Sequence, residues 1–185
     1  MQTIYLAGGC FWGLEKFLAQ FRGVESVESG YANGPEGTGK EGQVTYQEVC
    51  AGSGHAETVK VVYDEAVLPT EKLLDCYFRV IDPLAVNRQG PDVGVQYRTG
   101  VYYEAEELDP IVDAFMDKQM KKLGEFIAVE WGFLDNYCKA EEYHQQYLKK
   151  NPYGYCHIQN SFFHMQDFLD MQEEKEKLAG GNEDD

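Results

Sequence analysis

Residues 3–21 read TIYLAGGCFWGLEKFLAQF, and this stretch decides how the chain begins to fold. Thr3 to Ala7 is an apolar run of strand length that stops at Gly8-Gly9. From Phe11 onward the apolar residues Phe11, Leu14, Phe17, Leu18 and Phe21 recur at the spacing of a helix buried along one face. Cys10 therefore falls where a buried strand turns into the N-terminus of a helix. A thiol in that place meets the positive end of the helix dipole and unpaired backbone N–H groups, both of which favour thiolate over thiol. Gly8, Gly9 and Gly13 would let the backbone turn tightly and leave the sulfur open, while Phe11 and Trp12 offer an apolar wall to an apolar substrate group. The same residues fit a buried cysteine in a strand–helix joint with the aromatics as core, so on this stretch alone both readings stand.

Working outward, Val24 to Tyr31 reads as a second strand and Ala32 to Gln43 as a long polar loop. Val44 to Val49 and Glu57 to Tyr63 alternate or run apolar as strands do. Thr70 to Val80 has the period of a helix through Leu73, Leu74, Tyr77 and Phe78, and Ile81 to Tyr97, broken by Pro83, Gly90, Pro91 and Gly94, reads as loop. A strand over Arg98 to Tyr103, an amphipathic helix over Ala105 to Leu123, a strand over Ala128 to Phe133 and a short helix over Glu141 to Lys150 follow, the last ended by Asn151-Pro152. Tyr153 to Phe163 is aromatic, contains a glycine and has no period. This interleaving predicts an α+β fold, a mixed β-sheet with flanking helices. Residues 1–165 form one domain, and residues 166–185 a charged, solvated helix fading into the acidic tail GGNEDD.

A length of 185 residues suits one domain with a sizeable core, and 43% hydrophobic residues are too many for a disordered chain. A formal net charge of -16 argues against nucleic acid or an anionic membrane as partner. No apolar run approaches the roughly 20 residues that cross a bilayer, and no basic-then-apolar export segment is present, so a soluble, cytoplasmic protein is expected. Five cysteines are an odd number in a chain large enough to do without staples, which points to reduced thiols. No CxxC pair occurs and His55, His144, His157 and His164 are not at zinc-ligand spacing with the cysteines, so no metal site is expected.

GCFWG at Gly9 to Gly13 resembles the signature of A-type methionine sulfoxide reductases. Four further segments resemble that family in order: GYANG around Tyr31, TYQEVCAGSGHAETV from Thr45, NRQGPDVGVQYRTGVYY from Asn87, and EEYHQQYLKKNPYGYC ending at Cys156. Together they cover most of residues 4–157. The resemblance implies a ferredoxin-like plait core and a catalytic reductase domain over residues 1–165. It implies reduction of methionine S-sulfoxide, free or in oxidised proteins and peptides, by a monomer that binds no cofactor.

Each matched position then takes a role. Sulfoxide reduction needs a nucleophile at sulfur, a proton for the departing oxygen and donors for the charge developing on it. The resemblance makes Cys10 the nucleophile, Glu57 the acid, Tyr46 and Tyr97 the hydroxyl donors and Asp92 a carboxylate that orients the substrate. Phe11, Trp12, Tyr46, Glu57, Asp92 and Tyr97 would form the substrate site. Cys10 would be left as sulfenic acid, and Cys156, on a segment free to swing onto it, would condense to a disulfide that thioredoxin or another dithiol reduces. Cys50, Cys76 and Cys138 read as inert packing. The chain departs from the family in having no second recycling cysteine after Cys156, and in having Ile81 where a histidine commonly precedes Asp-Pro. Two readings compete: a cysteine hydrolase or acyltransferase in which His55 or His144 is the base, and a redox-regulated binding module without turnover.

Overall fold

The computed structural model describes residues 1–35 and 43–180. The strands are β1 (Gln2–Gly8), β2 (Val24–Ala32), β3 (Ala56–Tyr63), β4 (Arg88–Gln89), β5 (Asp92–Val93), β6 (Thr99–Tyr103), β7 (Glu130–Phe133) and β8 (Tyr137–Lys139). The helices are α1 (Phe11–Leu18), α2 (Tyr46–Cys50), α3 (Thr70–Phe78), α4 (Leu108–Leu123), α5 (Tyr147–Lys150) and α6 (Met165–Gly180). Six strands make one mixed sheet in the order β7-β6-β1-β3-β2-β8, antiparallel throughout except for the parallel pair β6 and β7. β4 and β5 form a separate hairpin.

The sheet is apolar on both faces, unequally. Ile4 and Leu6 of β1, Val59, Val61 and Tyr63 of β3 and Val101 and Tyr103 of β6 meet Leu14, Phe17 and Leu18 of α1 and Leu73, Leu74 and Tyr77 of α3 in the main core. The alternate residues Tyr5, Ala7, Ala32, Ala56 and Tyr102 form a smaller cluster covered by Leu134 and Tyr137. Wholly burying a leucine or phenylalanine is worth roughly 1.5–3 kcal/mol, so three such residues fix the rotation of α1 on the sheet. That rotation pins Cys10 at the end of the central strand.

The long elements lie where the sequence pattern puts them; the short ones differ. Val44 to Val49, expected as a strand, instead enters helix α2. Thr45 caps it: its side chain accepts from the Glu48 N–H while the Glu48 carboxylate accepts from the Thr45 N–H, a reciprocal capping box that outweighs the apolar alternation. Cys50 thus sits exposed at a helix end rather than packed in a strand. The single helix expected over Glu141 to Lys150 is broken, because Gln146 takes a left-handed φ of 51° between a 3-10 turn at Glu142–His144 and α5. Ile81 to Tyr97 is less loop-like than expected: it holds the β4-β5 hairpin and a 3-10 turn over Val95–Tyr97. Edge strand β8, which carries Cys138, is too short to leave a period. Residues 36–42 of the expected polar loop and 181–185 of the expected tail lie outside the described residues.

Helix α6 is not solvated all round. Met165 is buried and Leu169 packs on the core, while Arg22 pairs with Asp170 and Lys72 with Glu173 at 2.8 Å. Exposed pairs of this kind contribute at most about 1 kcal/mol each, so the apolar contacts do most to seat the helix. Among the described residues no helix is long and apolar enough to cross a membrane.

The capping box gives a direct check on α2. Thr45→Ala should lower unfolding free energy by about 1 kcal/mol with an unchanged denaturant slope. A urea midpoint equal to the parent's would mean that tertiary contacts alone hold α2.

Candidate active site

β1 delivers Cys10 to the site. After Gly8 the chain turns through Gly9, whose φ of +80° strains any other residue, and Cys10 becomes the N-cap of α1 with only 7% of its surface exposed. The Trp12 backbone N–H donates to the sulfur and favours thiolate, as expected of a helix N-terminus. Burial and the nearby carboxyl of Glu57 push the other way and win, so the thiol is raised far above its ordinary range and is protonated at rest. The pull toward thiolate read from the sequence is present and is outweighed. The dipole acts on one hydrogen bond's scale, whereas desolvation acts on the whole charge.

β3 supplies the second group. Side chains alternate along a strand, so Glu57 shares its face with Val59, Val61 and Tyr63 and points into the main core. It is 2% exposed. The Phe11 backbone N–H donates to its carboxyl, and Oε2 has no partner among the described residues. Burial first, and then the charge of Asp92, raise this acid well above the carboxylate range. A carboxyl in that setting holds its proton to higher pH than an exposed one and can donate it.

Tyr97, at the end of the 3-10 turn, feels the charges of Glu57, Asp92 and Cys10, and burial raises its hydroxyl. Tyr46, the first residue of α2, feels Glu57 and Tyr97; burial raises it too, and its hydroxyl is bonded to Cys50. Both remain protonated donors. Arg98, buried beside Tyr97, donates to the carbonyls of Val95, Gly54 and Asn33 at 2.9 to 3.0 Å, which ties the turn to the ends of β2 and β3. Asp92, on β5, accepts from the Tyr155 hydroxyl at 2.9 Å.

The apolar wall divides in two. Phe11 is wholly buried against Tyr31 and His144, so it is core rather than an open surface. Trp12 is half-buried and clamped: its indole stacks on Tyr147 at 3.7 Å, 12° from parallel, and its Nε1–H donates to His144 Nδ1 at 2.9 Å. His144 is 1% exposed and is also ringed by Tyr46 and Tyr143. Burial lowers its basicity, and accepting at Nδ1 fixes the neutral tautomer. His55, also lowered by burial, is bonded to Ser53 Oγ at 3.0 Å. Neither histidine is bonded to Cys10, and the hydrolase reading loses its base.

Cys156 is brought to the same place. It is among the groups whose charge Cys10 feels, and its Sγ–H donates to the Ile158 carbonyl at 3.4 Å. The segment around it is docked rather than loose, since Tyr155 is held by Asp92 and Ile158 is buried in the main core. The segment expected to swing onto Cys10 is held against the site in this conformation by these anchors. Cys76 is buried in the core, Cys138 is half-buried on the edge strand, and neither is bonded to the site.

Tyr155 and Tyr147 were not singled out by sequence reasoning, and His144 was named only as a base for the hydrolase reading. All three fall within EEYHQQYLKKNPYGYC, where the aromatic and histidine content was the signal. A groove of about 640 Å³ lies elsewhere, lined by Glu15, Lys16, Val24, Val27, Leu148 and Lys149, and contains no thiol. Among the described residues no three His, Cys, Asp or Glu side chains are placed to hold a metal ion.

Comparison with known proteins accords with this geometry. The sequence matches the family described as peptide methionine sulfoxide reductase over residues 2–177, which takes in most of α6. It is 51% identical over 158 residues to the peptide methionine sulfoxide reductase MsrA of Lachnoclostridium phytofermentans, across 85% of this chain and 92% of that one. To the MsrA of Clostridium perfringens it is 48% identical over 160 residues, across 85% and 98%. The crystal structure of Mxr1 from Saccharomyces cerevisiae in reduced form superimposes with a TM-score of 0.79 at 37% identity, across 84% of this chain and 88% of that one.

The buried carboxyl has a consequence for stability. The folded state holds the Glu57 proton more tightly than the unfolded chain, so stability falls as pH rises from the ordinary carboxylate range through the raised folded value. Glu57→Gln cannot ionise, and its stability relative to the parent should therefore increase as pH rises from the ordinary carboxylate range toward the raised folded value. A difference that stays flat across that range in urea unfolding would place an ordinary carboxylate at position 57.

Proposed function

The chain belongs to the peptide methionine sulfoxide reductase family, and we propose that it performs the A-type reaction with Cys10, Glu57 and Cys156 in successive roles. The activity is reduction of methionine S-sulfoxide to methionine. The observation that carries the residue assignment is the buried carboxyl of Glu57, one oxygen without a partner among the described residues and its pKa raised by burial, near the buried thiol of Cys10.

In the first step the sulfur of Cys10 attacks the sulfoxide sulfur while Glu57 protonates the oxygen and then recovers a proton from the Cys10 thiol. The oxygen passes from the substrate sulfur to Cys10 as the S–S bond formed in the attack breaks, so the substrate S–O bond is lost, methionine leaves, and Cys10 carries the oxygen as sulfenic acid. Tyr46 and Tyr97, held as donors, stabilise charge on the oxygen in transit. Trp12, clamped by His144 and Tyr147, walls the S-methyl group, with Phe11 fixing its backing from within the core. Asp92 orients the substrate and holds Tyr155. In the second step the Cys156 thiol displaces the sulfenic oxygen, which leaves as water with the thiol proton, and a Cys10–Cys156 disulfide remains.

A dithiol of the thioredoxin kind then reduces that disulfide; lacking a later cysteine to relay it, the chain presents the Cys10–Cys156 bond directly. The cycle needs no bound cofactor. A monomer acting on oxidised proteins in the cytoplasm, where thiols stay reduced, is part of the same reading. The strand order β6-β1-β3-β2, with helices following β1 and β3, supports reading the core as a ferredoxin-like plait. The reductase domain is assigned to residues 1–165, with 166–185 as an acidic helix and tail.

The cycle separates into testable halves. Glu57→Gln should slow methionine release by roughly 10²-fold or more in a single turnover. Cys156→Ser should release about one methionine per enzyme, accumulate sulfenic acid that dimedone traps on Cys10, and fail to turn over with thioredoxin. Parental turnover by Cys156→Ser would overturn its role as resolver, and methionine release by Cys10→Ser would overturn the nucleophile.

A further inference from the structure

Gly13 is the third residue of α1 and is buried. Its φ is not among the positive ones, so its backbone conformation does not require glycine, and a helix favours alanine over glycine. The reason for glycine lies in what faces it. A Cβ built there would meet Cys156 Sγ at 2.9 Å and the Ile158 side chain at 3.5 Å, and these are its nearest neighbours. All belong to the segment that carries the resolving thiol.

We propose that Gly13 is the positioning residue of the recycling step: the absence of its side chain forms the seat in which Cys156 Sγ rests, three residues along α1 from Cys10. The inference deepens the reading of Cys156 as resolver and rests on it. Residues three apart at the start of a helix share a face, so a sulfur seated on Gly13 lies next to the nucleophile before any sulfenic acid exists. Cys10 and Cys156 are accordingly close enough in the reduced protein for ionisation of one to oppose ionisation of the other. Burial raises the Cys156 thiol and keeps it protonated, and its contact with the Ile158 carbonyl at 3.4 Å holds it in place while it waits. When the sulfenic acid forms, the S–S bond is made, the S–O bond breaks, and the thiol proton leaves in water, with no closure of the segment needed.

A methyl group at position 13 would press on the sulfur itself, the free end of a short side chain, rather than on backbone. Gly13→Ala should therefore turn the sulfur away from Cys10 while leaving the fold in place. Misplacing a reacting atom by about an ångström slows a step by up to roughly 10²-fold.

The test mixes reduced full-length protein with a methionine sulfoxide peptide and follows methionine, free thiols and dimedone-trapped Cys10 together. In the parent, two thiols should disappear per methionine, with no adduct. In Gly13→Ala, disulfide formation should lag methionine release by roughly 10- to 100-fold and the adduct should accumulate. A purely structural role would slow both steps alike. Disulfide formation that keeps pace with methionine release in Gly13→Ala overturns the seat. If Cys156→Ser still forms an internal disulfide, it is the assignment of the resolver that fails instead. Should Gly13→Ala fold poorly, Cys156→Ala in the same chain vacates the space, and recovery of its melting temperature supports the contact whereas no recovery overturns it.

Discussion

A carboxyl group shut inside the main core governs the rest of this site. Strand β3 alternates, and its inward positions hold Val59, Val61 and Tyr63 until, at the end next to Cys10, the same face presents Glu57. An isolated carboxylate there would carry a desolvation penalty of several kcal/mol, and the protein avoids it by keeping the proton. A charge on Glu57 opposes ionisation of Cys10, so the two groups are coupled: in the proposed reaction the nucleophile loses its proton most readily while the acid still holds its own. The α1 dipole and the Trp12 N–H supply the pull, and burial holds it in check until a sulfoxide arrives to take the proton.

The architecture explains how these groups meet. β1 and β3 are neighbours, so the last residues of β1 and the first residues of β3 lie at one edge of the sheet. Glu57 pairs in register with Tyr31 of β2, whose hydroxyl is held by Glu141 at 3.2 Å, and Glu141 also accepts from the Tyr46 N–H. One carboxylate thus links the sheet, helix α2 and the segment that leads to His144. Trp12 is similarly overdetermined by a stack and a hydrogen bond, which fits the substrate wall proposed for it. Glu15, buried and raised to about 7, accepts from the Gln146 N–H and fixes the left-handed break before α5, placing Tyr147 beneath the indole.

Much of this was legible in the chain. The strand to Ala7, the helix from Phe11 and the strand from Glu57 carry their own periods, because each buries one face against many neighbours. Glu57, Val59, Val61 and Tyr63 share a parity, so the burial of Glu57 was itself readable. The reading of Val44 to Val49 went astray on alternation, when Thr45 and Glu48 held the stronger local signal. What could not be read was long-range pairing: Tyr155 with Asp92, 63 residues apart, and Trp12 with His144, 132 apart, leave no local pattern. Nor could local rules show that burial would override the helix N-terminus at Cys10, since that balance depends on what the rest of the fold lays over the thiol.

The central claim is that Glu57 stands protonated at neutral pH in the reduced, substrate-free protein. Carbonyl infrared spectroscopy of protein carrying ¹³C-labelled glutamate, with Glu57→Gln as the difference reference, measures this directly. The account predicts a protonated-carboxyl band at neutral pH that belongs to Glu57 and fades only well above the range in which an exposed glutamate loses its proton. A spectrum in which Glu57 contributes carboxylate bands alone at neutral pH, its proton lost in the range of an ordinary exposed glutamate, would contradict it.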